Sequence, residues 1–178
     1  MLTAIRLPER FDLNFKTTLD LPGVNKNAGG QEAAWGAAGA ILFYPFDVTR
    51  AFTPIRVVVE NGSIINGNTT VAVYDEDIKD ILMSTAATAQ TGADARQYIN
   101  ITTSVLLREG RYYKALSNSG ATGRYSGFAS FRSVYSGVRQ ASSGGIVASP
   151  TIVDPATGVY DISIIPAMTL FGYASSGA

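Results

Sequence analysis

Residues 55–75 read Ile55-Arg-Val-Val-Val-Glu-Asn-Gly62, then Ser-Ile-Ile, then Asn66-Gly-Asn-Thr-Thr-Val-Ala-Val-Tyr-Asp75. In the first run Ile55, Val57 and Val59 fall on one side of an extended chain, with Arg56 and Glu60 on the other. That period of two is the mark of a half-buried strand. Asn61-Gly62 and Asn66-Gly67-Asn68 are turn signals. The run that follows them predicts Val71 and Val73 inward, and Thr70 and Tyr74 outward,.

The same texture extends in both directions. Ile41 to Phe46 is an apolar run interrupted by Pro45, as suits an edge strand or a strand bend,. Ile81 to Met83, then Gln97 to Thr102 with Ile99 and Ile101 inward, continue it downstream. Leu106-Leu107 leads into the charged turn Arg108-Glu109-Gly110, Arg111 to Leu116 reads as the next strand, and Phe128 to Val134 as a further one. Ala86 to Ala95 reads as a loop, because Thr88, Thr91 and Gly92 interrupt any helix,. Short strands about ten residues apart, with turns between them, mean an all-β sandwich or barrel.

Three zones follow. Residues 1–40 form an extended arm carrying Pro8, Pro22 and a Gly- and Ala-rich stretch, within which Trp35 is expected to plug the base of the sandwich. Residues 41–140 form the β-domain. Residues 141–178 form a Gly- and Pro-rich tail with one or two strands, its apolar segments broken by Pro150, Pro155 and Pro166.

Composition narrows the chemistry. The 178 residues are long enough for one domain with a real core,. Charged residues make up 16%, against a usual share of about 25%,. A surface so poor in charge is expected to be partly covered by neighbours. Formal net charge is zero, which argues against non-specific attraction to nucleic acid or to anionic membranes,. There is no Cys and no His, so thiol nucleophiles, zinc-thiolate sites and Ser-His triads are excluded,. No pair of carboxylates is singled out for glycoside hydrolysis. The expectation is a protein that is not an enzyme and needs no cofactor or metal. Met1 to Phe15 lacks the apolar core of a signal peptide, and no apolar run approaches the length of a membrane helix, so assembly in a cytosol is expected,.

Two sets of residues are candidates for binding partners. Phe11, Leu13, Phe15, Leu19 and Leu21 sit in the arm with little to pack on locally. They either complete the domain's own sheet or reach to a neighbour as an apolar clasp. Residues 108–140 interleave basic side chains with aromatics, and Arg111, Tyr113 and Arg124 are the best candidates there. Arg and Tyr are the types enriched in protein interfaces. A plain strand surface ranks second, and a glycan or nucleic-acid site last. Asp75, Glu76, Asp77 and Asp80 suggest a calcium loop, but Lys79 sits among them and a solvated hairpin turn is the simpler reading,. That acidic turn and the basic zone are also complementary enough to pair between subunits.

Taken together, Phe43-Tyr44-Pro45-Phe46, then Thr-Arg-Ala-Phe-Thr-Pro-Ile entering Val57 to Val59, then Val71-Ala72-Val73-Tyr74-Asp75, and finally Gly110-Arg111-Tyr112-Tyr113-Lys114-Ala115, resemble the jelly-roll modules of tailed-bacteriophage virion proteins. These modules occur in capsid decoration or cement proteins and in tail-fibre and baseplate domains. The resemblance covers about residues 40–132 and carries no catalytic residues. It implies a jelly-roll-like antiparallel β-sandwich within a virion, assembled in the host cytoplasm. It implies a structural role, above all as a capsid decoration or cement protein on the outside of the shell. Its partners would be the major capsid protein or other virion subunits, with homo-oligomerisation, and neither nucleic acid nor membrane. The alternative is a receptor-binding module of a tail fibre or baseplate that recognises a glycan.

Overall fold

The runs that alternate apolar and polar residues are extended in the structure. The computed structural model describes residues 31–129, 139–141, 145–153 and 164–174, and no helix occurs among them. The strands are β1 (Gln31–Ala34), β2 (Ile41–Val48), β3 (Phe52–Glu60), β4 (Asn68–Tyr74), β5 (Ile81–Thr85), β6 (Thr88–Ala89), β7 (Arg96–Thr103), β8 (Gly110–Asn118), β9 (Arg124–Ala129), β10 (Arg139–Ala141), β11 (Ile152–Val153), β12 (Ile164–Pro166) and β13 (Met168–Ala174). The protein is all-β and its sheets are antiparallel.

One sheet runs β11-β10-β2-β8-β4-β5-β7-β3-β13, with β6 beside β4, and β1-β9-β12 form a second sheet of three strands. The long sheet is curled into a half-barrel. Between its two halves the β5 to β7 junction is short: Ser84↔Thr103 and Thr85↔Ile101 pair, with a register shift between them. On either side lie two flanks, β2-β8-β4 and β7-β3-β13, whose concave faces share one core. Leu42 and Tyr44, Val71 and Val73, and Leu116 from the first flank cluster with Ile99, Val57, Val59, Met168 and Leu170 from the second. The curl thus does what two stacked sheets do in a sandwich: it buries one side of every strand.

Most inward expectations hold, and the exceptions have local causes. Val57, Val59, Val71, Val73 and Ile99 are buried, and Ile101 is half-buried against the same core. Ile55 is only half-buried. Opposite it, Phe171 pairs with Arg56 and Gly172 with Pro54, so Ile55 is the extra residue of a β-bulge,. The bulge switches the inward parity: Phe52 and Pro54 face in before it, Val57 and Val59 after it. Tyr74 was expected outward toward water, yet it is fully buried. It belongs to a second core on the convex side of β2-β8-β4, with Ile41, Phe43, Ile78, Ala72 and Ala115.

The segment after β10 helps to cover that convex side. Ile146 packs on it, the Tyr74 hydroxyl donates to the Val147 carbonyl at 2.7 Å, and Ser149 N–H donates to the Lys79 carbonyl at 2.9 Å. The C-terminal zone also supplies β12 and β13 to the two sheets. Within residues 1–40, Gln31–Ala34 pair with β9. Trp35 packs edge-on to Tyr125 at 5.4 Å, at the end of the core where it was expected to plug. The strand expected at Phe128 to Val134 begins earlier, at Arg124, and residues 130–134 lie outside the described residues. Ala86 to Ala95 is a loop apart from the two residues of β6.

Two buried tyrosines differ in one respect that stability measurements can read. The Tyr125 hydroxyl bonds Thr69 Oγ1 at 2.6 Å and accepts from Asn118 Nδ2 at 2.8 Å. Burial pushes its ionisation up to about 12, with these two bonds opposing the rise. The Tyr44 hydroxyl is buried without a hydrogen-bond partner among the described residues, and burial pushes its ionisation well above the usual tyrosine range. Tyr125→Phe should therefore destabilise by about 1–3 kcal/mol, because Asn118 and Thr69 lose their partner. Tyr44→Phe should leave stability unchanged or raise it by about 1 kcal/mol, because it removes an unsatisfied buried group. Urea unfolding of both variants checks this, and equal losses would refute the difference. Val73→Ala, at a position with no exposed surface, should cost about 2 kcal/mol through lost burial and a residual cavity.

Candidate interaction surface

Alternation along β7 leaves Arg96, Tyr98, Asn100 and Thr102 exposed while Gln97 and Ile99 point into the fold. β3 contributes Arg56, Val58 and Glu60 to the same outer face, since its neighbours Val57 and Val59 are in the core. β13 contributes Thr169, Phe171 and Tyr173, with Met168 and Leu170 inward. The register assembles these into rows: Arg96 beside Glu60, Tyr98 beside Val58 and Thr169, Asn100 beside Arg56 and Phe171.

The polar groups of this face bond to one another in register. Arg96 Nε donates to Glu60 Oε1 at 2.5 Å, and Arg56 Nε donates to Asn100 Oδ1 at 3.2 Å. What remains open to a partner is aromatic. Tyr98 is 60% exposed and Tyr173 is 53% exposed, and Phe171 is half-buried between their strands' ends. The convex side of the other flank carries Phe43 and Tyr74 in edge-on contact at 5.2 Å, both without exposed surface. One outer face is thus covered by the chain itself and the other is left in solvent among the described residues.

The residues predicted from the sequence are not gathered into one site. Phe11, Leu13, Phe15, Leu19 and Leu21 lie outside the described residues. Along β8 the alternation splits the basic and aromatic zone between the two sides of the sheet. Arg111 is exposed and forms a two-pronged pair with Asp47, its cross-strand neighbour, at 2.8 and 3.2 Å. Tyr113 is half-buried on the convex core, while Tyr112 packs toward the concave core beside Phe46. Lys114 is buried, and its Nζ donates to the Met168 carbonyl at 2.8 Å, joining β8 to β13 across the interior. Arg124 lies on β9 and pairs with Glu32 of β1 at 2.8 Å.

The acidic stretch 75–80 is the turn between β4 and β5. Asp75 Oδ1 accepts from Lys79 N–H at 2.7 Å and Asp80 N–H at 3.2 Å, which folds the loop back on itself. Ile78 takes a positive φ of 58°, costly for a β-branched residue, and is held there buried in the convex core,. No group of three or more Asp, Glu, His or Cys side chains able to hold a metal ion occurs among the described residues. No helix among them is long and apolar enough to cross a membrane.

Tyr98 and Tyr173 were not singled out by the sequence reading. The signal for Tyr98 was present, because placing Ile99 and Ile101 inward puts Tyr98 outward by alternation. Tyr173 had no such signal, since Pro166 obscures the strand that carries it.

Comparison with known proteins returns no match among protein-family models, curated proteins or solved structures.

One surface ion pair has a pH signature. Ser63 Oγ and Ser63 N–H donate to the Glu32 carboxylate at 2.6 and 2.5 Å, and Arg124 Nη1 donates at 2.8 Å. The Ser63 hydroxyl most of all, then its N–H, hold the carboxyl below its ordinary value of 4.5 against the opposing effect of burial, with Arg124 adding to the lowering. A lowered native value means that Glu32 contributes stability fully above the unfolded value near 4.5, and that this is lost as pH falls through the native value. Glu32→Gln should therefore melt below the parent at neutral pH, with the gap closing as pH falls below the unfolded value and through the lower native one. Melting curves across that range check it, and a gap independent of pH would show that charge plays no part.

Proposed function

We propose that this chain is a structural protein of a tailed-phage particle, a jelly-roll-like module that works by adhering to neighbouring subunits. Within the particle we assign it to the outside of the shell, as a capsid decoration or cement protein. The observation that carries the adhesive reading is the outer face of β7-β3-β13, where Tyr98 and Tyr173 stand in solvent beside a half-buried Phe171 while the opposite outer face is largely covered. Aromatic side chains beside Arg are what the centres of protein interfaces are made of. The charge-poor composition and zero formal charge agree with it. The placement in a phage particle rests on the sequence resemblance across residues 40–132, with which an all-β antiparallel fold agrees at the level of fold class. In this reading Phe11, Leu13, Phe15, Leu19 and Leu21 form a second, apolar anchor, with Arg111, Tyr113 and Arg124 at the margins.

The alternative reading, a glycan-binding module of a tail fibre or baseplate, draws on the same face. Tyr98 flanked by Asn100 and Arg56 offers an aromatic platform with hydrogen-bonding groups beside it.

Co-sedimentation with shells lacking the protein separates the two. The cement reading expects saturable binding that survives moderate salt, since the contact is not phosphate-driven. Tyr98→Ala should weaken it about tenfold or more, equivalent to about 1.4 kcal/mol, with no change in melting temperature. Absence of binding to shells, together with Tyr98-dependent retention on an oligosaccharide array, would replace the cement reading with the glycan one.

A further inference from the structure

β13 is an edge of the long sheet, with β3 on one side and no strand on the other among the described residues. Exposed strand edges carry unpaired main-chain donors and acceptors and invite another strand, so proteins blunt them by shortness, charge, proline or bulges. Among the described residues the other edges are short. β11 has two residues, β12 three and β1 four.

β13 has none of these devices. Met168-Thr-Leu-Phe-Gly-Tyr-Ala174 is seven residues long and contains no charge and no proline. The one irregularity in its pairing falls on β3, at Ile55, so β13 itself stays regular. Gly172 does not break it either: a Cβ there would collide with the Thr53 carbonyl and Pro54 of β3, so glycine serves the bulge on the inner side.

We infer that β13 pairs antiparallel with β13 of a second copy, about a two-fold axis through Phe171, joining two half-barrels into one continuous sheet. Three properties select a second copy. The strand is neutral, so two copies meet without like-charge repulsion. Phe171 is its middle residue, so an axis there pairs all seven positions. That register also sets Phe171 against Phe171 on the outer face and Thr169 against Tyr173, while Leu170 meets Gly172 on the inner face. A two-fold interface needs this self-complementarity. The inference extends the adhesive reading, but it is tested on the isolated protein, so either can fail without the other.

The chain contains no cysteine, so single-cysteine variants report the register cleanly. Facing residues of antiparallel strands have Cα atoms about 4.5–5.5 Å apart, within the range a disulfide spans. Mild oxidation should cross-link Phe171→Cys to a dimer. Tyr173→Cys alone should cross-link far less, but efficiently when mixed with Thr169→Cys. Sedimentation equilibrium of the unmodified protein should give twice the 18.8 kDa chain mass. Thr169→Lys, which adds charge to a solvent-facing position of the edge, should return it to a single chain with its melting temperature unchanged. A monomer at tens of micromolar, or cross-linking of Tyr173→Cys alone as efficient as that of Phe171→Cys, overturns the inference. A dimer that fails to bind shells leaves it standing and counts against the cement assignment instead.

Discussion

The curl of the long sheet depends on a knot of buried side-chain amides at one end of the core. Where strands converge and turn back, their main-chain groups lose strand partners and must find others. Asn61, at the end of β3, donates to the Thr91 carbonyl and to Gln97 of β7. Gln90 donates to Asn61 and to the Arg124 carbonyl of β9, and accepts from Asn66 N–H and Asn118 of β8. Asn118 in turn reaches Tyr125, which reaches Thr69 of β4. Five strands are thereby tied by groups that would each cost free energy if left unmatched. The knot leaves no room nearby: a Cβ on Gly67 or Gly123 would run into its members, and Gly67 also needs its positive φ of 79°,.

A second polar tie works at longer range. Lys114 reaches from one flank to the Met168 carbonyl of the other. A long aliphatic stem lets a lysine lie in an apolar interior and still place its ammonium on an acceptor. It lies opposite Tyr44 in the β2-β8 register, so the same layer of the core holds one polar group with an acceptor and one hydroxyl without. The flanks are therefore not held by apolar contact alone, and their spacing is tied to the reach of one side chain.

The extent to which this fold could be read from the sequence follows from how many sides of each strand are buried. β7 is buried on one side only, so Gln97 and Ile99 point in and Arg96 and Tyr98 out, as strict alternation predicts. β2, β4 and β8 are buried on both sides, and there alternation is silent. Tyr74 and Phe43 look like solvent-facing partners of Val73 and Leu42, yet they form a core of their own because chain from beyond β10 lies near them. Such long-range cover leaves no mark in a local window. The bulge at Ile55 is equally invisible, since it arises from pairing with a strand more than a hundred residues away. The basic and aromatic run of residues 108–140 misled for the converse reason. Proximity in sequence brought Arg111 and Lys114 together, and the pleat of β8 sent them to opposite sides. The candidate face was legible only where one-sided alternation held, which is why Tyr98 could have been named and Tyr173 could not.

This asymmetry between flanks bears on the proposed adhesive role. A sheet covered on both sides has no large apolar face left to offer, so β2-β8-β4 serves as the rigid part. The flank β7-β3-β13 is covered on its concave side alone among the described residues, and it also carries the one long edge. Of its outer charges, Arg96 is neutralised by Glu60 in register, while Arg56 keeps its charge and hydrogen-bonds the neutral amide of Asn100. A partner covering Arg96 need not strip water from an unpaired charge, the step that most often cancels the gain from burying an ion, whereas one covering Arg56 must offer it an acceptor. Aromatic area is then free to dominate the contact. A face built in this way selects its partner by shape and strand pairing more than by charge, as a zero net charge and so few ionised side chains would require.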